Sequence, residues 1–572
     1  MEKQHIVETF LERGFLPAPD VVEQSIDPSF FSTLHDKIIS PEKPIVLCRD
    51  ILEGILSNEV CDINWNDFEE SRVLHEKKKN TKMYAVFLNI LNHSNAPYKG
   101  RIQQLIQEAA IEPLQEPLPR HPSEPRSSPT LELPQQRSDS RLIVLKNYEV
   151  ESKKREVKDF ALYFRARYDF LSSLLKTRSE LQGTLAIGHL TKKIETEQVS
   201  IIGMVYDIAT TKNGNCIVTL EDPSGRTKVL LNKDGPVKDI IPYLTYDEVI
   251  GVQGTWRNNM VFVNLVLFPD IPLNRPVKKA QEEVYAVFVS DIHVGSKMFL
   301  EGAFLRFISW LNGECGTEHQ KEIARKVKYV FAVGDCVDGV GIYPSQEQEL
   351  LLTNIHDQYA RLAELFSMIR KDLPIIVCAG NHDACRLSEP QPRSFSYIKP
   401  VSDLPNVTMV SNPSFVNLHS SEDFEGITCL LYHGYGYDYY VSNIAPLREG
   451  GGYNRTDLVM KFMLQKRHLS PTHTSTLYIP TPNHDSLVIE KVPDVFVSGH
   501  VHKSSISFYR GTNLIVTSCW QNTTTFQEKL GHTPDPGRVP VLNLRTREVT
   551  MLDFHSDPTS IREEEHGIGR EL

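Results

Sequence analysis

Long apolar runs, paired cysteines and an excess of positive charge are all missing from this chain of 572 residues. No stretch approaches the roughly 18 to 20 apolar residues that a membrane helix needs. The start, MEKQHIVETFLERGF, has no apolar signal region, so the expectation is a cytoplasmic protein without membrane attachment. None of the nine cysteines forms a CxxC pair, which argues against a zinc knuckle, and an odd, scattered set fits buried thiols better than a disulfide framework. Lysine and arginine total 62 against 73 acidic residues, for a net charge of -11. Such a chain does not coat nucleic acid by bulk electrostatics; any contact with DNA must be local, through a groove with its own basic residues or through bound cations.

What is present changes character along the chain. Residues 1–75 carry a helical pattern, with Ile6, Val7, Phe10 and Leu11 on one face and Gly14 as a C-cap, and predict a small helical domain suited to docking. After a connecting region, 76–110, the stretch 111–140 holds seven prolines among Ser, Gln and charges and predicts an extended tether. Residues 141–194 are expected to be a helical segment leading into a barrel, with Val157, Phe160, Phe164, Tyr168, Leu171 and Leu175 at helical spacing. From 195 to 270 five short apolar runs separated by Gly, Asn, Asp and Pro predict an OB-like β-barrel. Trp256 and Arg257, with Lys212, Arg226 and Lys228, are candidates for a surface that stacks bases and holds phosphates; a barrel that only packs between subunits is the alternative. Residues 281–556 alternate apolar strands with helices, and 557–572 read as a charged, solvated tail.

The chemistry lies in the 281–556 region. Val284 to Val289 is a continuous apolar run, as in a strand buried on both faces, and it ends in Asp291-Ile292-His293. Four more runs end alike. Lys328 to Val333 leads into Gly334-Asp335-Cys336-Val337-Asp338, Leu373 to Ala379 into Gly380-Asn381-His382-Asp383, Ile427 to Tyr432 into His433-Gly434, and Asp494 to Ser498 into Gly499-His500-Val501-His502. Five strand ends presenting Asp, Asn or His beside glycine predict one polar site at a sheet edge. Oxygen and imidazole donors together suit Mn, Fe or Zn, whereas Mg prefers an oxygen-rich shell. This many donors suit two ions, the arrangement that serves in-line displacement at phosphorus.

The ordered set DxH, GDxxD, GNHD, HG, GHxH resembles the calcineurin-like metallophosphoesterase superfamily over about half the chain. The resemblance implies a four-layer α/β sandwich with a dinuclear centre: Asp291, His293, Asp335 and His502 on one ion, Asp335, Asn381, His433 and His500 on the other, Asp335 as the bridge and His382 as the catalytic histidine. The fold class expected overall is multidomain α+β: small helical domain, OB-like barrel, metallophosphoesterase sandwich. Together with the stretch GNHDACRLSEPQPR, this order of parts is similar to the small subunit of archaeal family-D DNA polymerases. That implies a metal-dependent 3′ to 5′ proofreading exonuclease, with Mn as the metal. The implied partners are DNA and a large polymerising subunit in a heterodimer; whether a sliding clamp is bound directly stays open. Arg386 is a candidate phosphate contact or a structural salt bridge.

Two other readings stay open. Protein phosphatases of the superfamily show GDxVDRG and GNHE, whereas this chain has GDCVDGV and GNHDA. A scaffold whose metal only stabilises the fold would not need His382. Asp338 and Asp383 are read as partners of ligands or as turn-formers, not as ligands, and His419, His473 and His484 as solvated loop histidines.

Overall fold

The computed structural model describes residues 15–17, 45–47, 141–150, 153–529, 531, 533–557 and 559–572. The chain divides into two compact units, Met1–Leu133 and Pro134–Leu572. In the first unit, β1 (Phe15–Pro17) and β2 (Ile45–Leu47) pair in parallel. The helix expected at 6–11 with its Gly14 cap, the 76–110 connection and the whole proline-rich tether, 111–140, lie outside the described residues. No described helix is long and apolar enough to cross a membrane.

The second unit begins with a departure from expectation. Residues 141–147 are not a helical lead-in but a strand, β3 (Arg141–Asn147). It pairs antiparallel with β13 (Ser414–Ser420), far along the chain. The sequence RLIVLKN is β-branched and too short for a helix, and an open sheet edge supplies the partner that local sequence cannot show. Helix α1 follows (Val157–Lys176). Its buried stripe is Tyr163, Arg167, Leu171 and Leu175, while Val157 at its start is exposed. An arginine can sit in that stripe because Asp485, equally buried, accepts from its Nε at 2.7 Å.

Five strands then form a closed barrel: β4 (Gln198–Thr210), β5 (Cys216–Asp222), β6 (Gly225–Leu231), β7 (Val249–Arg257) and β8 (Met260–Leu267), in the order β4-β5-β6-β8-β7. Closure follows from the length of β4, whose first half pairs with β7 and second half with β5, with a register shift between Val205 and Asp207. The β7–β8 hairpin turns through Asn258 and Asn259, both at positive φ (52° and 56°), as a two-residue primed turn requires. Trp256 is no stacking platform. It is 5% exposed and packs inside the barrel, because its position on β7 has the inward parity of Ile250 and Val252. Arg257, one residue on, is exposed.

The remainder is a β-sandwich between helices. With β12 (Val407–Met409), β17 (Thr512–Val516) and β18 (Arg538–Asn543) among their strands, one sheet has the order β12-β11-β10-β9-β18-β19-β20 and the other β21-β16-β17-β15-β14-β13-β3. The site-forming strands are β9 (Tyr285–Val289), β10 (Val327–Val333) and β11 (Ile375–Cys378) in the first sheet, and β14 (Ile427–Leu431) and β15 (Val495–Ser498) in the second. Their continuous apolar runs are explained by two different cores. Ala286, Phe288, Phe331, Ile376, Cys429 and Val497 meet between the sheets. The alternate residues Val287, Val289, Val330 and Ile375 face Phe304, Trp310, Tyr359 and Leu362 on α2 (Glu301–Leu311) and α4 (Ile355–Ser367). A third helix on that face, α3, spans Glu318–Lys326. Leu430 and Phe496 face α5 (Tyr437–Asn443), α6 (Ala445–Glu449) and α7 (Thr456–Lys466) on the other side. Helix, sheet, sheet, helix is thus the layer order. The barrel is inserted between β3 and β9, both strands of the sandwich.

The charged tail is also corrected. β20 (Arg562–Glu565) adds to β19 (Val549–Asp553), and β21 (Arg570–Glu571) adds to β16 (Ser505–Tyr509), so the tail closes an edge of each sheet. Edge pairing uses backbone groups and leaves the charged side chains in water, which is why composition concealed it.

Candidate metal centre

The five strands deliver their polar residues to one cleft where the carboxyl edges of the two sheets meet. Backbone bonds lace the loops together: Asp291 N–H donates to Gly334 O at 3.0 Å, His293 N–H to Asp335 O at 3.1 Å and Gly499 N–H to His433 O at 2.9 Å. Asp291, His293, Asp335, His500 and His502 all have positive φ, between 49° and 73°. Non-glycine residues adopt that region rarely and at a cost, and here it turns successive side chains into the same space. The glycines beside them admit no side chain. A Cβ on Gly380 would lie 2.2 Å from Asp335 Oδ1, and one on Gly334 would lie 2.3 Å from His433 Nδ1.

Asp291, His293 and His502 form one group of donor atoms within 4.8 Å of one another; Asp335, His433 and His500 form a second. Asn381 joins the second, its Oδ1 3.1 Å from His433 Nε2. All seven expected ligands therefore converge.

Each imidazole is held by its far nitrogen. His293 Nδ1 donates to Asp338 Oδ1 at 3.0 Å, His433 Nδ1 donates to Val333 O at 2.9 Å, His502 Nδ1 lies 2.8 Å from Gln527 Nε2, and His500 Nε2 lies 3.2 Å from Asp438 Oδ2. The near nitrogens then face one another or oxygens: His293 Nε2 is 3.0 Å from His502 Nε2, and His433 Nε2 is 3.1 Å from Asp335 Oδ2. Ring nitrogens and carboxylate oxygens gathered this closely can share a cation, and the mixture of imidazole and carboxylate oxygen suits a borderline transition ion. The electrostatics agree. Burial works against a charged imidazole at His433, yet Asp335 and Asp291 outweigh it and push the group up to about 10. Burial keeps His293 below its ordinary value, and therefore neutral, despite Asp338. The pocket stabilises positive charge beside the carboxylates and keeps His293 available as a donor.

His382 lies at the rim. Its N–H donates to Asp335 Oδ1 at 2.7 Å, and its Nδ1 donates to the Asp338 carbonyl oxygen at 2.8 Å, which leaves Nε2 for the cleft. Asp338 is a hub rather than a ligand. Its carboxylate accepts from His293, from Gln521 Nε2 at 2.9 Å and from Gln346 Nε2 at 2.9 Å. Asp383 ties the loop: it accepts from Gly380 N at 2.8 Å and from the Tyr359 hydroxyl at 3.0 Å, and burial, with Asp335 nearby, pushes it up to about 6.

Arg386 does not reach the centre. Its Nε and Nη2 donate to Pro390 O at 3.2 and 2.7 Å, so it closes its own loop. Of the three histidines read as solvated, His419 is 7% exposed, His484 stacks on Tyr148 at 5.8 Å, and only His473 is exposed. The sequence reading missed Gln346, Gln521 and Gln527, as well as Asp438, which also accepts from the Tyr453 hydroxyl at 2.9 Å. A signal existed for two of them. Asp438 stands five residues after His433, and Gln521 follows a sixth apolar strand, Thr512–Val516, whose end TSCWQ was not compared with the other five.

The cleft has a volume of about 340 Å³; five of the ligands (His293, Asp335, Asn381, His500 and His502) line it with His382 and Asp338, together with Ile342, Tyr343, Leu387, Tyr435 and Tyr453.

Residues 285–504 match the model of the calcineurin-like phosphoesterase family. Over 390 residues the chain is 39% identical to the DNA polymerase II small subunit of Methanothermobacter thermautotrophicus, covering 68% of this chain and 78% of that protein. It is 38% identical over 401 residues to the same-named protein of Archaeoglobus fulgidus, covering 70% and 78%. Against that of Pyrococcus furiosus it is 38% identical over 402 residues, covering 70% of this chain and 64% of the longer relative.

Proposed function

Because the chain belongs to the family of archaeal DNA polymerase II small subunits, with a calcineurin-like phosphoesterase domain, we propose that it is the 3′ to 5′ proofreading exonuclease of a two-subunit DNA polymerase. The observation that carries this is the complete set: seven donors in two groups, with the free Nε2 of His382 beside them in one cleft. Asp291, His293 and His502 would hold one ion, Asn381, His433 and His500 the other, and Asp335 would bridge. Bound there, two divalent cations, manganese by the resemblance, supply Lewis acidity to the phosphate and the attacking water.

The chain's own part is positioning and proton transfer. The substrate is the last phosphodiester of a DNA strand. Water attacks the phosphorus of the terminal nucleotide, the bond to the 3′ oxygen of the penultimate nucleotide breaks, and a nucleoside 5′-monophosphate leaves. His382 serves the departing oxygen. Its Nδ1–H is committed to the Asp338 carbonyl, so Nε2 is the atom that carries a proton to that oxygen. Asp338 orients His293 through its side chain and His382 through its carbonyl, coupling the metal site to the acid.

The barrel, whose strand order is that of an OB-like fold, contributes single-strand contacts through exposed Tyr206 and Arg226, whose guanidinium stacks 3.6 Å over the tyrosine ring. With a net charge of -11, the isolated chain depends on its large subunit for affinity.

The test is digestion of a 5′-labelled oligonucleotide with a mismatched 3′ end, with manganese or with chelator. Stepwise shortening that is lost with chelator and in Asp335→Asn and His382→Ala is the expected result. No shortening by folded wild type under any divalent metal overturns the reading.

A further inference from the structure

The cleft contains more than a phosphate needs. Ligands and His382, with Asp338, Asp438 and two glutamines, make up most of its polar lining, but its walls also carry Tyr343, Tyr435 and Tyr453 with Ile342 and Leu387, the last two exposed. Aromatic and aliphatic walls around a dinuclear centre favour a ligand with flat apolar faces.

The tyrosines are placed on two sides. Tyr343 stands edge-on to His382, ring centroids 6.4 Å apart, in the region of the group that His382 forms with His293 and Asp338. Tyr435 stands edge-on to His500 at 5.9 Å, beside the group that His500 forms with Asp335 and His433. Two of the rings are tethered at their hydroxyls: Tyr343 donates to Glu349 Oε2 at 2.8 Å and Tyr453 to Asp438 Oδ1 at 2.9 Å. Tethered rings lose little freedom when something stacks on them.

A phosphodiester lying over the centre has one nucleoside on either side of its phosphorus. Resting on the exonuclease reading above, we propose that Tyr343 and Tyr435 are stacking walls for the bases flanking the scissile phosphate, and that they make an unpaired 3′ end the substrate. The cleft, of about 340 Å³, lies within the size range of ligand pockets. Every base has a π-face, so stacking is indifferent to sequence. Preference for mismatched ends then comes from fraying of the primer rather than from recognition of base edges.

The experiment uses the full chain with manganese and two single-stranded 5′-labelled oligonucleotides, one normal and one with tetrahydrofuran abasic residues at its last two positions. Wild type is expected to show a kcat/KM on the order of tenfold or more lower on the abasic strand, mainly through KM, a comparison that needs no variant. Tyr435→Ala and Tyr343→Ala should each lose on the order of tenfold on normal DNA and distinctly less on the abasic strand, where no base is present to lose, and Tyr435→Phe should restore the wild-type value. Equal digestion of both strands by wild type overturns the inference, as does an equal loss on both strands in the alanine variants, which would mark a purely structural role. Either result leaves the exonuclease standing; absence of digestion of the normal strand by wild type defeats the exonuclease itself.

Discussion

Replacing Asp338 by asparagine removes one charge from a carboxylate that is 1% exposed and accepts three side-chain hydrogen bonds. The shape is preserved, but the acceptors are not. If the new carbonyl oxygen faces His293 Nδ1 and Gln521 Nε2, the new amide nitrogen opposes Gln346 Nε2, donor against donor, at what is now 2.9 Å. Gln346 cannot simply flip, because its Oε1 accepts from Ile342 N at 2.8 Å and its Nε2 also donates to Asp338 O at 2.8 Å. A hydrogen bond to a charged partner contributes about 1.5–3 kcal/mol. Loss of a residue that orients a metal-bound histidine costs about 10–100-fold in metal affinity, the same range at about 1.4 kcal/mol per factor of ten. The backbone carbonyl that holds His382 is untouched. Calorimetric titration with manganese should therefore show binding weakened about 10–100-fold, while kcat at saturating metal falls much less. Affinity within twofold of wild type would refute the claim that Asp338 orients His293.

Gly380→Ala places a methyl 2.2 Å from Asp335 Oδ1 and 2.8 Å from His433 Nε2. It should abolish exonuclease activity and manganese binding while the circular dichroism stays native; retained binding would contradict the crowding. Lys466 and Glu248, each 1% exposed in the side chain and 2.5 Å apart, weld α7 to the barrel. Glu248→Gln alone should cost about 3–5 kcal/mol of unfolding free energy and the double change Lys466→Met/Glu248→Leu less; a double variant that loses as much as Glu248→Gln or more is the contrary result. The Asp485 network, which takes hydrogen bonds from Tyr163, Arg167 and His468, makes the unit sensitive to acid. Burial, aided by Arg167, lowers His468 from 6.5 to about 4. A depressed histidine contributes stability that is present above about 6.5 and lost as pH falls from there toward 4. Between pH 7 and pH 5 this group should remove about 2 kcal/mol, read as a fall in the unfolding midpoint of wild type that is flatter in His468→Gln; parallel curves would count against it.

How far the sequence reached depended on the kind of order involved. Asp291, Asn381 and His500 were legible because a strand buried on both faces must read as an unbroken apolar run, so its polar end stands out, and a glycine beside it marks a close approach. The five barrel strands were legible for a similar reason, since hairpin turns demand Gly, Asn or Asp. The tertiary structure alone decided the parity of Trp256, which one register step turns inward. It decided the partner of β3, some 270 residues away, and it decided that Arg167 could be buried, because Asp485 lies in another segment of the chain. The roles of Asp338 and Asp438 were settled in the same way. Local sequence specifies which residues can ligate, stack or turn. Which of them meet depends on long-range packing, where a charge is stable only if its counter-charge arrives from elsewhere.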